Sequence, residues 1–233
     1  MPDTVLILGH RGASHDAREN TLEAFALARA QGADGVELDV RRTADGELVV
    51  HHDPHVPGVG LLAQLPFARL REEAPFVPTL GEALAACEGM LVNVEVKCLP
   101  WEPDADHESQ VAKASADLIR AMGAHTVMSS FHFAAIDALR TYAPEIPTGF
   151  LVHGQDLAFT RDLVKMRGHE WLHPDRGSML ATDTAAVVRT CHEENLRVNV
   201  WTVDDPDEMR RLADAGVDGI ITNVPAVAVS VLR

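Results

Sequence analysis

Short apolar runs recur along this chain between longer amphipathic stretches, and the alternation sets the expected architecture. Strand-like segments are read at residues 5–9, 35–40, 91–96, 126–129, 148–152, 170–173, 198–202 and 219–222. Helical stretches fall at residues 21–31, 79–87, 109–122, 133–142, 156–166, 182–194 and 206–215, with 224–232 as the last. This is the pattern of eight successive βα units in an α/β protein. Gly32, Gly123 and Gly216 stand where helices should stop, since glycine tolerates the left-handed backbone of a C-terminal cap. The clearest loop-rich insertion covers residues 54–78.

The second strand carries an unusual face. In Gly35-Val36-Glu37-Leu38-Asp39-Val40 the two carboxylates are two positions apart, so both project from one side. A shared face allows a shared divalent cation, and hard carboxylate oxygens suit Mg²⁺ or Ca²⁺. The bland reading is a solvated strand face, against which the apolar neighbours and nearby histidines argue. Asp45-Gly46 is a turn signal, so Leu48-Val49-Val50-His51-His52 should fold back as the second arm of a hairpin. If Asp45 and Gly46 are the two loop residues, His52 stands opposite Asp39 on the same face, and His51 faces away. A loop one residue longer would place His52 opposite Leu38.

The third strand extends the set. Asn93, Glu95 and Lys97 alternate with Val94 and Val96, which leaves the apolar pair facing helices and the polar trio facing the sheet interior. Three converging carboxylates are costly unless a cation or Lys97 compensates them, so the arrangement itself calls for a metal. A structural Glu95 to Lys97 ion pair is the plainer alternative. Histidines nearby can move protons near neutral pH. Arg11 offers a planar fork of donors and Lys97 a point charge for phosphoryl oxygens.

The ordered set His10-Arg11-Gly12, Glu19-Asn20-Thr21, Glu37-Leu38-Asp39, His52-Asp53-Pro54, Glu95-Val96-Lys97, Ser130-Phe131, Trp201-Thr202-Val203 and Thr222-Asn223-Val224-Pro225 resembles the glycerophosphodiester phosphodiesterase family over essentially the whole chain. The resemblance implies a (β/α)₈ barrel with a short hairpin and loop insertion after strand two. It also implies a divalent metal on Glu37, Asp39 and Glu95, an acid/base pair of His10 and His52, and hydrolysis of a glycerophosphodiester to glycerol 3-phosphate and an alcohol. In the implied mechanism the neighbouring glycerol hydroxyl attacks phosphorus and water opens the resulting cyclic phosphate. Barrel active sites sit at the C-terminal ends of strands, and His10, Glu37, Asp39, Glu95, Lys97, Ser130, His173 and Trp201 all fall there. Glu19 is expected to orient a catalytic group. Asn20 or Thr21 suits a helix N-cap as well as a ligand contact. Trp201 suits either an apolar wall for substrate or plain packing. His15, His125, His153, His169 and His192 read as surface or loop residues. His132 and His173-Pro174 depart from the family pattern, as does the short segment after Pro54, and this leaves the leaving-group pocket undefined.

Length and charge agree. The 233 residues fit one α/β barrel domain spanning 1–233, a fold that typically needs ~200–250 residues. Thirty-five acidic against 20 basic residues give a net charge of −15, which disfavours nucleic acid and stable association with an anionic bilayer. The partner expected is therefore a small glycerophosphodiester drawn in by local charge, with homo-oligomerisation left open. Cys87, Cys98 and Cys191 form no metal or disulfide pattern and read as reduced thiols. The first strand begins almost at Met1 and no apolar run approaches a membrane span, so cytoplasm is the expected location. Two other functions compete with the diesterase. One is a lysophospholipase D-like enzyme, which needs an apolar landing surface for which Leu61, Leu62 and Phe67 are the candidates. The other is a non-catalytic ligand-binding barrel.

Overall fold

The computed structural model describes residues 4–97 and 99–233; Cys98 and the first three residues lie outside that range. In chain order the elements are β1 (Leu6–His10), α1 (Leu22–Ala30), β2 (Gly35–Arg42), β3 (Leu48–Val50), β4 (His55–Val56), β5 (Gly60–Leu61), α2 (Phe67–Glu73), α3 (Leu80–Ala86), β6 (Leu91–Val96), α4 (Gln110–Met122) and β7 (Thr126–Ser130). They continue with α5 (Phe133–Tyr142), β8 (Thr148–Val152), α6 (Leu157–Arg167), β9 (Trp171–Pro174), α7 (Arg176–Leu180), α8 (Thr184–Glu193), β10 (Arg197–Val200), α9 (Pro206–Asp214), β11 (Gly219–Thr222) and α10 (Pro225–Leu232). Eight strands pair in parallel in the order β1, β11, β10, β9, β8, β7, β6, β2, and β1 pairs with β2 to close the ring. The protein is a (β/α)₈ barrel.

Strand residues of alternating direction divide between two apolar clusters. Ile7, Val36, Val94, Met128, Leu172 and Ile220 join helix residues such as Phe25, Ala83, Ile119 and Leu139 in the layer between barrel and helices. Leu8, Leu91, Val127, Trp171 and Ile221 form a separate cluster in the barrel interior. Period-two alternation thus sends one set of side chains outward to the helices and the other inward. On β2 and β6 the upper inward positions are polar, and this prepares the site. Local signals start and stop the helices: Thr21 and Thr79 accept from backbone N–H groups three residues on, and Gly32, Gly123 and Gly216 all adopt positive φ.

The hairpin register differs from the two-residue expectation. Val40 faces Val50, Arg41 faces Val49 and Arg42 faces Leu48, so Thr43 closes on Glu47 around a three-residue loop. The Thr43 hydroxyl donates to Asp45 at 2.6 Å and Gly46 takes φ +91°, the geometry of a type I turn completed by a left-handed residue. Continued, this ladder would set His52 opposite Leu38. Instead β3 ends at Val50, and the chain bends so that the His52 ring returns toward Asp39, Lys97 and Arg11.

The insertion is more ordered than a loop. Val49, Val56, Leu62, Leu65, Leu70, Ala74 and Val77 form a small core of their own, with Phe67 packed on it. Of the residues expected to supply a lipid landing surface, Leu62 is fully buried while Leu61 and Phe67 stay partly exposed. His169 sits in the joint between α6 and β9 as expected but is buried, its ring nitrogens meeting Thr148 and Asp137 at 2.9 and 3.1 Å, whereas His192 lies on α8 and bonds Asp218 at 2.8 Å. Cys87 and Cys191 are buried and unpaired, and burial pushes their thiols up to about 12 and about 11.

Candidate active site

Glu37 and Asp39 on β2 and Glu95 on β6 are buried, and each offers a carboxylate oxygen within 4.8 Å of the others. Parallel pairing sets Asp39 beside Glu95, so the cluster follows from register and alternation alone. Lys97 Nζ lies 3.0 Å from Asp39 and 2.5 Å from Glu95, which makes the ion pair foreseen as an alternative a part of the cluster. The Arg11 backbone N–H donates to Glu37 at 3.0 Å, and its guanidinium reaches Asp39 at 3.2 Å and Glu19 at 2.9 Å. Arg11 can do both because it adopts φ +56° at the end of β1. The next residue must be glycine: Gly12 has φ +86°, and a Cβ there would lie 2.6 Å from the Ala24 backbone.

The neighbouring loop resolves the Asn20 and Thr21 alternatives. Thr21 caps α1, while Asn20 braces Asp39, its side-chain N–H₂ donating to the carboxylate at 2.8 Å. Asn20 was weighed as a cap or a substrate contact, and its part in holding Asp39 has no local sequence signal. Arg41 was also missed, although it continues the face of Glu37 and Asp39 by two more residues. Its guanidinium is buried and donates to the His52 carbonyl, Asp104 and Glu102, each at 2.7 Å, tying the segment after β3 to the segment after β6.

The charges are unequal in their settlement. Burial and the neighbouring Asp39 and Glu95 charges push the Glu37 carboxyl well above its usual range. Burial also raises Glu95, and Lys97 offsets only part of that. For Asp39 burial is outweighed by Lys97 and Arg11, which hold it well below the usual carboxylate range. Glu37 Oε1 is buried with no partner among the described residues. Three carboxylates face two cations, and an orphaned oxygen points to a place for further positive charge. An all-oxygen donor set of this kind fits Mg²⁺ or Ca²⁺.

His10 and His52 flank this cluster. His10 Nδ1 lies 2.7 Å from the Asn223 side-chain oxygen, and its Nε2 is 4.0 Å from Glu37. His52 Nδ1 lies 2.7 Å from an Asp53 carboxylate oxygen. Burial lowers both histidines below their ordinary value; Arg11 adds to this for His10, and Lys97 and Arg11 for His52. On the far side, Lys97 sits 5.9 Å from the Phe131 ring, which packs edge-on against Trp201 at 5.5 Å. The Trp201 indole N–H donates to the His173 carbonyl at 2.8 Å, leaving the ring half-buried as an apolar wall. His173 itself is fully buried below, and burial takes its imidazole down to about 3.

A model of the glycerophosphoryl diester phosphodiesterase family matches residues 10–227. The chain belongs to that family. It is 30% identical to a glycerophosphodiester phosphodiesterase of Caldanaerobacter subterraneus subsp. tengcongensis, with 98% of each chain covered. Among solved structures it is similar to glycerophosphodiester phosphodiesterase from Thermotoga maritima, at 27% identity, a TM-score of 0.84 and 99% coverage of both chains. It also resembles a phosphodiesterase of Oleispira antarctica solved in complex with the product sn-glycerol-3-phosphate, at 25% identity and a TM-score of 0.83, with 98% of this chain and 96% of that one covered. As a family member the protein is a phosphodiesterase, and the candidate cluster lies at the strand ends where barrel enzymes carry their chemistry. A cavity of about 620 Å³ between Leu6, Leu91, Thr126, Trp171 and Arg197 opens at the opposite end, away from all of these groups.

Proposed function

We propose that this family member hydrolyses soluble glycerophosphodiesters to glycerol 3-phosphate and an alcohol, with Glu37, Asp39 and Glu95 holding one divalent cation and His10 and His52 exchanging protons. The observation that carries the reading is the juxtaposition of three buried carboxylates, two cationic side chains and two histidines within one strand-end cluster. With Lys97, Arg11 and all three carboxylates charged, the cluster carries one net negative charge; a divalent cation would turn it one charge positive, matching a phosphodiester monoanion. Bound there, Mg²⁺ or Ca²⁺ would supply Lewis-acid stabilisation of charge on the phosphoryl oxygens.

The chain's own residues account for the remaining work. Arg11 and Lys97 add positive charge on either side of Asp39, where phosphoryl oxygens would be drawn. One histidine accepts the proton of the glycerol hydroxyl next to the phosphoester while the other donates to the leaving alkoxide, and the two reverse roles when water opens the cyclic phosphate. Trp201 and Phe131 offer an apolar wall to the glycerol or leaving group. Attack by the substrate's own hydroxyl gains the advantage of an intramolecular reaction. No nucleic-acid partner is included, given the net charge of −15. A cytoplasmic location is part of the reading, supported by the unpaired Cys87 and Cys191; among the described residues no helix is long and apolar enough to cross a membrane.

The test is release of glycerol 3-phosphate from a panel of water-soluble glycerophosphodiesters, run beside micellar lysophospholipid and a 2-deoxyglycerol analogue. Soluble diesters should be cleaved, with a cyclic phosphate visible by phosphorus NMR, and the 2-deoxy analogue should turn over very slowly. Faster cleavage of the micellar lipid would favour the lysophospholipase D-like reading. Equal rates for the analogue would rule out internal attack.

A further inference from the structure

His10 is held by a chain of hydrogen bonds whose proton directions can be followed from end to end. Asp204, in the segment after β10, accepts from the Asn223 backbone N–H at 2.8 Å and from the Thr222 hydroxyl at 3.0 Å through one oxygen. Its other oxygen accepts from the Asn223 side-chain N–H₂ at 2.6 Å. A carboxylate only accepts, so Asp204 fixes which way the Asn223 amide points. Turned around, Asn223 would set its carbonyl oxygen against a carboxylate oxygen at that distance and lose the bond. The amide oxygen therefore faces His10, and its two acceptor sites are filled by the Ser14 hydroxyl at 2.8 Å and by His10 Nδ1 at 2.7 Å. An amide oxygen cannot donate, so the proton of this last bond belongs to His10 Nδ1. The bare nitrogen of neutral His10 is then Nε2, the one that faces Glu37.

We infer that Asp204, acting through Asn223, is a positioning residue that locks neutral His10 in the Nδ1–H tautomer and so makes Nε2 the atom at which His10 takes up and releases the catalytic proton. The catalytic part of this inference rests on the diesterase reading, while the tautomer does not. Neither Asp204 nor Asn223 needs to touch substrate. A neutral amide between the carboxylate and the ring also distinguishes His10 from His52, whose Nδ1 meets the Asp53 carboxylate directly. Asp204 orients His10 without placing a full negative charge on the imidazole.

The experiment is a long-range proton–nitrogen correlation on ¹⁵N-histidine protein at about pH 8, where an imidazole of ordinary pKa is neutral. The His10 signals are assigned by their loss in His10→Gln. Wild type should show Nδ1 protonated and Nε2 bare. In Asp204→Asn the new amide can donate as well as accept, which frees Asn223 to turn. A second tautomer should then appear, and kcat should fall roughly 10–100-fold, the usual effect of removing an orienting partner, with little change in KM. Wild-type His10 carrying its proton on Nε2 would overturn the inference without recourse to any variant. So would Asp204→Asn with both the wild-type tautomer and full kcat. If no diester is cleaved while the Nδ1–H tautomer is observed, the functional reading fails and the positioning of His10 stands.

Discussion

Replacing Arg41 with methionine should damage stability and catalysis together, because this one side chain joins the segment that carries His52 to the segment after β6. The guanidinium is 1% exposed and makes 2.7 Å bonds to Asp104 and Glu102 after β6 and to the His52 carbonyl after β3. Methionine fills much of the volume but none of these bonds. Asp104 is fully buried at its side chain, so its contact with Arg41 falls in the class whose disruption costs about 3–5 kcal/mol. Glu102 is partly exposed and water can replace most of what it loses, so it adds little. For a chain of this size each kcal/mol moves Tm by about 2–4 °C, which puts the expected fall at roughly 6–20 °C. His52 also loses the bond that holds its backbone, and misplacement by about 1 Å can cost ~10²-fold in rate. Calorimetry and kcat measured well below the lowered Tm read the two effects separately. Arg41→Lys, which keeps the charge but not the fork, should fall between the two proteins. An Arg41→Met protein melting within about 2 °C of wild type, with unchanged kcat, would refute the reasoning by showing that neither loop depends on this contact.

Further outcomes follow from the histidines. His10→Ala and His52→Ala should each keep the fold and lose roughly 10²–10⁴-fold in rate, as expected for a lost proton carrier, and near wild-type turnover in either would remove it from the mechanism. Because burial lowers both imidazoles, the acid limb of the rate profile should have its midpoint below the ordinary histidine value of 6.5, and a midpoint above 7 would contradict that placement. His173 gives a stability prediction of definite sign. Its folded pKa of about 3 lies below the unfolded value of 6.5, so the unfolded chain binds the proton first and stability is lost as pH falls from 6.5 toward 3. The loss attributable to this residue is at most about 1.4 kcal/mol per pH unit. Urea unfolding between pH 6.5 and 4 should therefore fall less steeply in His173→Gln, and parallel curves for the two proteins would exclude His173 as the source.

The polar face of β2 and β6 was legible because strand alternation is local: Glu37, Asp39, Glu95 and Lys97 needed only a period of two and parallel register to meet. Eight βα units were legible from the alternation of the chain, and the family resemblance implied that they close into a barrel. The hairpin register was not, because Thr43 builds a three-residue loop with Asp45 and Glu47 that a turn signal at Asp45-Gly46 does not distinguish from a two-residue one. His52 reaches the site through a bend after β3 rather than through the predicted pairing. Arg41 was not singled out, because its acidic partners Glu102 and Asp104 lie 61 and 63 residues downstream. The relay from Asp204 to His10 was hidden in the same way, since Asn223 is 213 residues from the ring it orients. The burial of the loop residue His169 was not legible because nothing near it in sequence reveals Asp137 across the helix layer. The burial of Leu62, one of the three residues expected to form a landing surface, is tertiary and so was not legible.

The central claim is that Glu37, Asp39 and Glu95 hold a divalent cation on which diester cleavage depends. The most direct test is thermal melting and glycerol 3-phosphate release for chelator-stripped protein, with and without added Mg²⁺ or Ca²⁺, beside Glu37→Gln. A cation at 100 times its dissociation constant stabilises the folded state by about 2.7 kcal/mol. For a chain of this size that is a Tm rise of roughly 5–11 °C. Wild type should show this rise together with restored hydrolysis. Glu37→Gln should fold, melt no lower than stripped wild type because a buried like charge has gone, and respond to neither ion. Full hydrolysis by stripped wild-type protein, or an equal melting response in Glu37→Gln, would contradict the account.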